Sequence, residues 1–181
     1  PRRITKMNVI SYTRIGVVRS PFTQIEGMPL QPVAAPDVVG RVELDEAFVP
    51  GAHDLAGFSH IHLVAHLHRA GAEGLEVVPF LDTEPRGVFA TRAPGRPNPI
   101  GISVVRLLAV DGGTLHVAGL DLLDGTPVLD VKPYVPRFDH VEAERIGWFE
   151  DRVDRVDEVR ADTRFALGGP PATALRAPPC L

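Results

Sequence analysis

Hydrophobic and polar residues alternate along several short segments of this chain, with the period of two that is typical of β-strands. The clearest case is the segment 58–68. Its alternate positions place four apolar residues on one face and four histidines on the other: Ile61, Leu63, Ala65 and Leu67 against His60, His62, His66 and His68. Shorter patterns predict further strands at 15–20, 40–44, 76–78, 87–89, 102–110, 114–120 and 127–132.

Turn signals separate these segments. Asp111-Gly112-Gly113, between two predicted strands, is typical of a hairpin turn. The chain has no alternation of strands with helices and no GxGxxG after a first strand, which argues against a Rossmann-type cofactor domain. Many short strands joined by glycine and proline turns therefore predict an all-β fold, a mainly antiparallel β-barrel or sandwich.

The character of the chain changes after Trp148. Residues 150–164 are dense in Asp, Glu and Arg, and valines recur there at a spacing of three, which predicts a short amphipathic helix. The last residues, 168–181, have the composition of a flexible tail. We therefore divide the chain into an N-terminal extension (1–12), a barrel domain (13–148) and a C-terminal segment (149–181).

Composition and charge narrow the classes of function. The chain has 181 residues, a net charge of −4 and a pI near 6.0, whereas nucleic-acid-binding proteins are more often basic. An RNA substrate would therefore need a local basic patch, a second subunit or a shape-specific pocket. The single cysteine, Cys180, excludes an intrachain disulfide. No signal peptide or membrane-spanning run is evident, so we expect a cytoplasmic protein without a membrane partner.

The loop GVFATRAPGRPN at 87–98 carries Arg92 and Arg96 between prolines that fix its backbone. A stiff loop loses little entropy when it binds an anion, so these arginines are candidates for holding a carboxylate or phosphate. The alternative is a rigid turn whose arginines bond nearby carbonyl groups, and the loop alone does not decide between the two.

Two further segments offer chemistry, each beside a purely structural alternative. The turn Asp124-Gly125-Thr126-Pro127 has backbone N–H groups and a hydroxyl that can face a ligand, although such turns are common. The segment Ser20-Pro21-Phe22 offers a hydroxyl and an aromatic face that suit an adenine ring, or it simply ends a strand.

The histidine face raises the question of a metal. His60 and His62 could present two imidazoles to one ion, as in cupin-like barrels. The expected carboxylate ligand is missing at short spacing, because the turn-like segment 70–74 contains only Glu73. A polar strand face is the favoured interpretation, while a single functional histidine and a metal site remain open.

Taken in order, the motifs resemble the TsaA/TrmO family. The matching segments are IGVVRSPF (15–22), GFSHIHLV (57–64), GVFATRAPGRPNPIGIS (87–103), DLLDGTPVLDVKPYVP (121–136) and GW (147–148). Characterised members are S-adenosylmethionine-dependent tRNA methyltransferases. The resemblance implies an antiparallel β-barrel, a homodimer with the cofactor near the subunit interface, and methylation of N6 of threonylcarbamoyl-adenine beside the tRNA anticodon.

The resemblance also implies site residues by motif position. Those for S-adenosylmethionine are Ser20, Pro21, Phe22, Ser59, His60, Arg92, Ile102, Asp124, Gly125, Thr126 and Pro127. Candidates for binding the substrate are Arg96, Asn98 and Tyr134. A general base would help the amide-like N6 nitrogen to react, and the unranked candidates are Asp124, Asp130, Tyr134 and His60. No metal ion is expected at such a site.

The chain departs from the bacterial pattern at Ala93, where serine is frequent, and at Gly95, where a bulkier residue is frequent. These changes concern the substrate side of the pocket, and with the acidic balance they keep a small-molecule acceptor open. Two further alternatives are a chain that binds S-adenosylmethionine without catalysis and a cupin-like metalloenzyme built on His60 and His62.

Overall fold

A closed antiparallel β-barrel forms the body of the computed structural model, which describes residues 9–71 and 74–166. Its strands follow one another around the barrel in the order β1-β2-β7-β6-β3-β8. Their bounds are β1 (Gly16–Arg19), β2 (Val39–Leu44), β3 (His60–His66), β6 (Ile100–Asp111), β7 (Thr114–Ala118) and β8 (Pro127–Pro133). Two short strands pair outside the barrel, β4 (Glu76–Val77) and β5 (Arg86–Gly87). The predicted all-β class is confirmed.

The inward faces of the strands build the core, as the alternation predicts. On β3, Ile61, Leu63 and Ala65 are fully buried, and His60 and His62 on the other face are half-buried. The strand ends at His66 rather than at 68. Matching core positions on the other strands include Val18, Val42, Val105, Leu107, Leu115, Val117 and Val128.

The predicted hairpin joins β6 to β7. Asp111 pairs with Thr114, and Gly112 lies between them with φ +54°, in the left-handed region that glycine enters without a steric cost. The strand predicted at 87–89 is shorter than expected, because β5 ends at Gly87 and a 3-10 helix takes over at Val88.

The helices are all short. One α-helical turn, α1, covers Pro136–Asp139. The 3-10 helices cover Pro32–Ala34, Glu46–Ala52, Leu55–Gly57, Val88–Ala90, Gly147–Phe149, Val153–Asp157 and Thr163–Phe165. None of the helices in the described residues has the length and apolar character needed to cross a membrane.

The C-terminal segment differs from its predicted helix. Over 150–164 the structure has 3-10 turns, since a valine spacing of three matches the three-residue period of a 3-10 helix better than the α-helical period. The segment packs against the connection between β3 and β6, where Phe165 is 3% exposed beside Val77 and Val88 and where Ala166 pairs with Ala70. The predicted tail, 168–181, lies outside the described residues.

Candidate functional site

Three loops that carry the sequence motifs emerge at the same end of the barrel. Because neighbouring strands are antiparallel, β1, β3 and β7 end where β2, β6 and β8 begin. The connections at this end are therefore 20–38, 67–99 and 119–126. They contain the Ser-Pro-Phe segment, the arginine loop and the Asp-Gly-Thr-Pro turn.

The first and third of these loops are joined into one unit by hydrogen bonds. The Ser20 amide donates to Asp124 Oδ1 (3.1 Å), and the Asp124 amide donates to the Phe22 carbonyl (2.7 Å). The Gly125 amide donates to the Val18 carbonyl (2.9 Å), which the chain achieves with φ +77° at Gly125. A glycine is favoured there because a side chain would strain this backbone conformation.

This bonding corrects one expectation about the turn. Its N–H groups do not face a ligand, because Asp124 and Gly125 donate as above and the Thr126 amide donates to the Leu123 carbonyl (3.2 Å). The Thr126 side chain is 2% exposed but reaches the wall of the cleft described next.

A cleft of about 1770 Å³ runs from this end of the barrel over the outer face of β3 and β6. It exceeds the roughly 300–1,000 Å³ of a pocket for one small ligand, so a cofactor and part of a larger substrate would fit together. The predicted residues that line it are His60, Arg92, Arg96, Asn98, Ile102, Thr126 and Tyr134.

The other predicted residues are not in the lining of the cleft. They are Ser20, Pro21, Phe22, Ser59, Asp124, Gly125 and Pro127. Phe22 is half-buried and packs on Met28 and Leu123, which themselves line the cleft. The Ser20 hydroxyl accepts a hydrogen bond from the Phe22 amide (3.2 Å). In the single chain Phe22 therefore supports the wall of the cleft from behind, and Ser20 holds the Phe22 backbone.

The two arginines of the loop have different partners. Arg92 is exposed, and its Nη1 donates to Gln31 Oε1 on the neighbouring connection. Arg96 Nη1 donates within the loop to the Thr91 carbonyl (3.3 Å). Thr91 in turn is buried, and its hydroxyl donates to the Val88 carbonyl (2.9 Å). Arg92 is thus an exposed cation on the cleft, while Arg96, which also lines the cleft, shapes the loop.

Asp121 is a cleft residue that the sequence analysis did not single out. Its Oδ1 accepts a hydrogen bond from the Ser103 hydroxyl at 2.6 Å, and both residues line the cleft. Burial raises the pKa of Asp121 to about 6, against the opposing effects of the Ser103 hydrogen bond and the Arg92 charge. The available signal was its position in the motif, a carboxylate directly after the apolar end of a strand.

His62 also lines the cleft, on the outer face of β3. Its Nε2 lies 3.3 Å from Asp139 Oδ1, and its ring centroid lies 5.4 Å from that of Tyr134. Across 9–71 and 74–166, no group of three His, Cys, Asp or Glu side chains is arranged to hold a metal ion. The cupin-like alternative therefore finds no ligand set in this part of the chain.

Comparison with known proteins shows which family this architecture belongs to. Residues 17–140 match the model of the tRNA-methyltransferase O N-terminal domain. The chain belongs to the TrmO family. A relative from Pyrococcus abyssi, named a probable S-adenosyl-L-methionine-binding protein, is 51% identical over 157 residues, covering 87% of this chain and 85% of that protein.

More distant relatives carry an enzyme's name. The tRNA (adenine(37)-N6)-methyltransferase of Escherichia coli is 37% identical over 140 residues, which cover 72% of this chain and 60% of that protein. The crystal structure of TrmO from Pseudomonas aeruginosa superposes with a TM-score of 0.65 and 43% identity, covering 78% of this chain and 63% of the other. This chain therefore spans about three fifths of either protein.

Proposed function

We propose that this chain is an S-adenosylmethionine-dependent methyltransferase that methylates N6 of the adenine next to the tRNA anticodon. The observation that carries the proposal is the position of Arg92, Ile102 and Thr126, motif residues from three parts of a TrmO-family chain, on one cleft. The acceptor we propose is N6-threonylcarbamoyl-adenine, as the family resemblance implies.

The donors and surfaces around the cleft fit the cofactor. Arg92 is a charged donor suited to a carboxylate, and the joined loops that contain Phe22 and Asp124 offer an apolar wall beside it. The proposed cofactor residues are those implied by the motifs: Ser20, Pro21, Phe22, Ser59, His60, Arg92, Ile102, Asp124, Gly125, Thr126 and Pro127. The proposed substrate residues are Arg96, Asn98 and Tyr134.

When bound, S-adenosylmethionine supplies an electrophilic methyl group on a positively charged sulfur. The chain contributes mainly by orienting the acceptor nitrogen toward that methyl group. Binding in the cleft restricts the motion of both reacting molecules. A carboxylate directly at the sulfur would stabilise the reactants more than the transition state. An apolar wall, such as the one that Phe22 supports from behind, meets the requirement that no carboxylate lies at the sulfur.

We further propose a homodimer that works in the cytoplasm. Large apolar side chains remain exposed on the cleft: Phe89 is 76% exposed, Ile102 59% and Val104 37%. A second copy of the chain would cover part of this surface and would add its own arginines to the substrate side. The arginines of two copies would then form a local basic patch for tRNA on an assembly of acidic chains, each with a net charge of −4.

The decisive experiment supplies the purified chain with labelled S-adenosylmethionine and tRNA from a strain that lacks its own enzyme. We expect the methyl group on threonylcarbamoyl-adenosine after nucleoside mass spectrometry, and none on tRNA that lacks the threonylcarbamoyl group. Binding of S-adenosylmethionine without methylation of tRNA would contradict the tRNA assignment and favour a small-molecule acceptor or a non-catalytic binding protein.

A cofactor-binding variant sharpens the same test. Arg92→Ala removes one charged donor from the cleft, so we expect calorimetry to show S-adenosylmethionine affinity at least about tenfold weaker, the scale of a lost hydrogen bond to a charged group. Titration of the variant at the affinity of the unmodified chain would remove Arg92 from the site.

A further inference from the structure

Asp121 lies at the mouth of the barrel, where its carboxylate faces the cleft. It follows the fully buried Leu120 in the connection between β7 and β8. That connection is held by hydrogen bonds from the Gly119 and Leu120 amides to the Val38 carbonyl (3.0 and 3.3 Å). The backbone that leads into Asp121 is therefore held in place.

The groups around Asp121 come from each element that packs against it. From β6, Ser103 donates its hydroxyl to Oδ1 at 2.6 Å, and Ser103 itself is 3% exposed. From the arginine loop, Arg92 contributes a positive charge. The connection before β2 adds an exposed carboxylate to the same cleft, that of Asp37. The carboxylate is thus oriented by the Ser103 hydroxyl, also interacts with the amide of Asp121 itself, and is influenced by one cation at a distance.

The other acidic groups near the site are occupied differently. Asp124 does not line the cleft, and its Oδ1 accepts from the Ser20 amide. Asp130 also lies outside the lining and pairs with Lys132 at 2.7 Å. Asp139 lines the cleft, but its Oδ2 accepts from the Val135 amide at 2.6 Å and its Oδ1 lies beside a histidine. Of these carboxylates, Asp121 is therefore the half-buried one on the cleft with an oxygen available to accept a proton.

We propose that Asp121 accepts the proton from the acceptor nitrogen during methyl transfer and that Ser103 positions it. The inference rests on the proposed function and names the general base of that reaction. The nitrogen lone pair forms the new N–C bond, and the S–C bond of the methyl donor breaks with its electron pair left on sulfur. The N6 proton passes to Oδ2 of Asp121, because Oδ1 holds the Ser103 hydroxyl.

The electrostatics agree with this assignment. A general base works best when its pKa approaches the working pH, because it is then ionised and still basic. Burial brings the pKa of Asp121 to about 6, well above that of an ordinary aspartate but below neutrality. At neutral pH the carboxylate is therefore ionised and more basic than an exposed one.

The test compares Asp121→Asn, Ser103→Ala and the control Asp111→Asn, an exposed aspartate at the far hairpin. Single-turnover methylation of the modified tRNA is followed between about pH 5 and 9, a range that spans the expected titration. Cofactor affinity is measured by calorimetry, and the carboxyl pKa of Asp121 by carbon NMR without ligand.

We expect Asp121→Asn to slow methyl transfer by about 100-fold or more and to remove the rising limb of the pH profile, with cofactor affinity retained. Ser103→Ala should shift that limb and the NMR pKa upward together, because the hydroxyl stabilises the ionised carboxylate. The Asp111→Asn variant should match the unmodified chain in every measurement.

Two results would overturn the assignment. An Asp121→Asn variant within about tenfold of the normal rate would exclude a general base of the usual strength. Loss of cofactor affinity in proportion to the rate would make Asp121 a binding residue instead. If Asp121→Asn does not fold, Ser103→Ala decides, since an unmoved pH limb contradicts the proposal. Failure of the proposed function is separate, because the unmodified chain would then transfer no methyl group.

Discussion

Asp82 and Asp121 are two carboxylates held away from bulk water, and their surroundings differ sharply. Asp82 Oδ2 accepts from Arg86 Nε and Nη2 (2.9 and 2.7 Å), its Oδ1 accepts from the Thr83 amide (2.8 Å), and Arg152 Nη2 lies 3.5 Å away. Burial acts to raise the pKa of Asp82, but these partners together hold it below the usual value. Asp121 has one hydroxyl partner, and burial prevails there.

The difference separates an acid that stabilises the fold from one that is free to react. Asp82 fastens the C-terminal segment to the base of the arginine loop, because Arg152 lies one helical turn after Trp148, whose Nε1 donates to the Ala90 carbonyl (2.8 Å). Asp121 makes few contacts that stabilise the fold, and its negative charge at the cleft is unfavourable for stability. Carboxylates with raised pKa values concentrate at functional sites for this reason.

The same substitution should have opposite effects at the two positions. Asp82→Asn leaves Arg86 and Arg152 without their counter-charge, so we expect the free energy of unfolding to fall by about 3 kcal/mol at neutral pH. The loss should shrink as the pH falls from the ordinary value of 3.8 through the lowered pKa of Asp82, below which the unmodified carboxyl is also neutral. Urea unfolding at several pH values measures both, and a loss independent of pH would contradict the electrostatic account.

Asp121→Asn should stabilise the chain. Between the ordinary value of 3.8 and about 6, the folded state binds more protons at this carboxyl than the unfolded state, so stability declines as the pH rises through that window. Removing the charge should therefore raise the free energy of unfolding above pH 6 by about 1–2 kcal/mol. The gain should vanish near pH 4; a loss of stability at neutral pH that shrinks in acid would make Asp121 a structural acid like Asp82.

A smaller loss of stability is expected at Trp148, whose indole helps to hold the same C-terminal segment as Asp82. Trp148→Phe removes the hydrogen bond to the Ala90 carbonyl but keeps an aromatic ring against Phe149, whose centroid lies 3.8 Å away. We expect a loss of about 1 kcal/mol in the free energy of unfolding, typical of one hydrogen bond. Combined with Asp82→Asn, the loss should be less than additive, because both changes release the same segment.

Local patterns in the sequence predicted the barrel well, since a period of two along β3 and β6 decides which side chains face the core. The same patterns missed the 3-10 turns over 150–164, where the valine spacing fits more than one helical period. The sequence patterns did not indicate Asp121, because its role depends on Ser103 and Arg92. These residues are remote in sequence and come near it only when the barrel is folded. Motif resemblance indicated the loops, but not which of their atoms are already used within the protein.

The hydrogen bonds that join the Ser-Pro-Phe segment to the Asp-Gly-Thr-Pro turn have a consequence for orientation. The amides of Asp124, Gly125 and Thr126 are engaged by carbonyl groups, so this turn has no free N–H group to bind a negatively charged group. An elongated ligand with a carboxylate at one tip would therefore place that tip toward the arginines of the cleft, Arg92 among them. The distribution of charged donors along the cleft thus sets the orientation of its ligand.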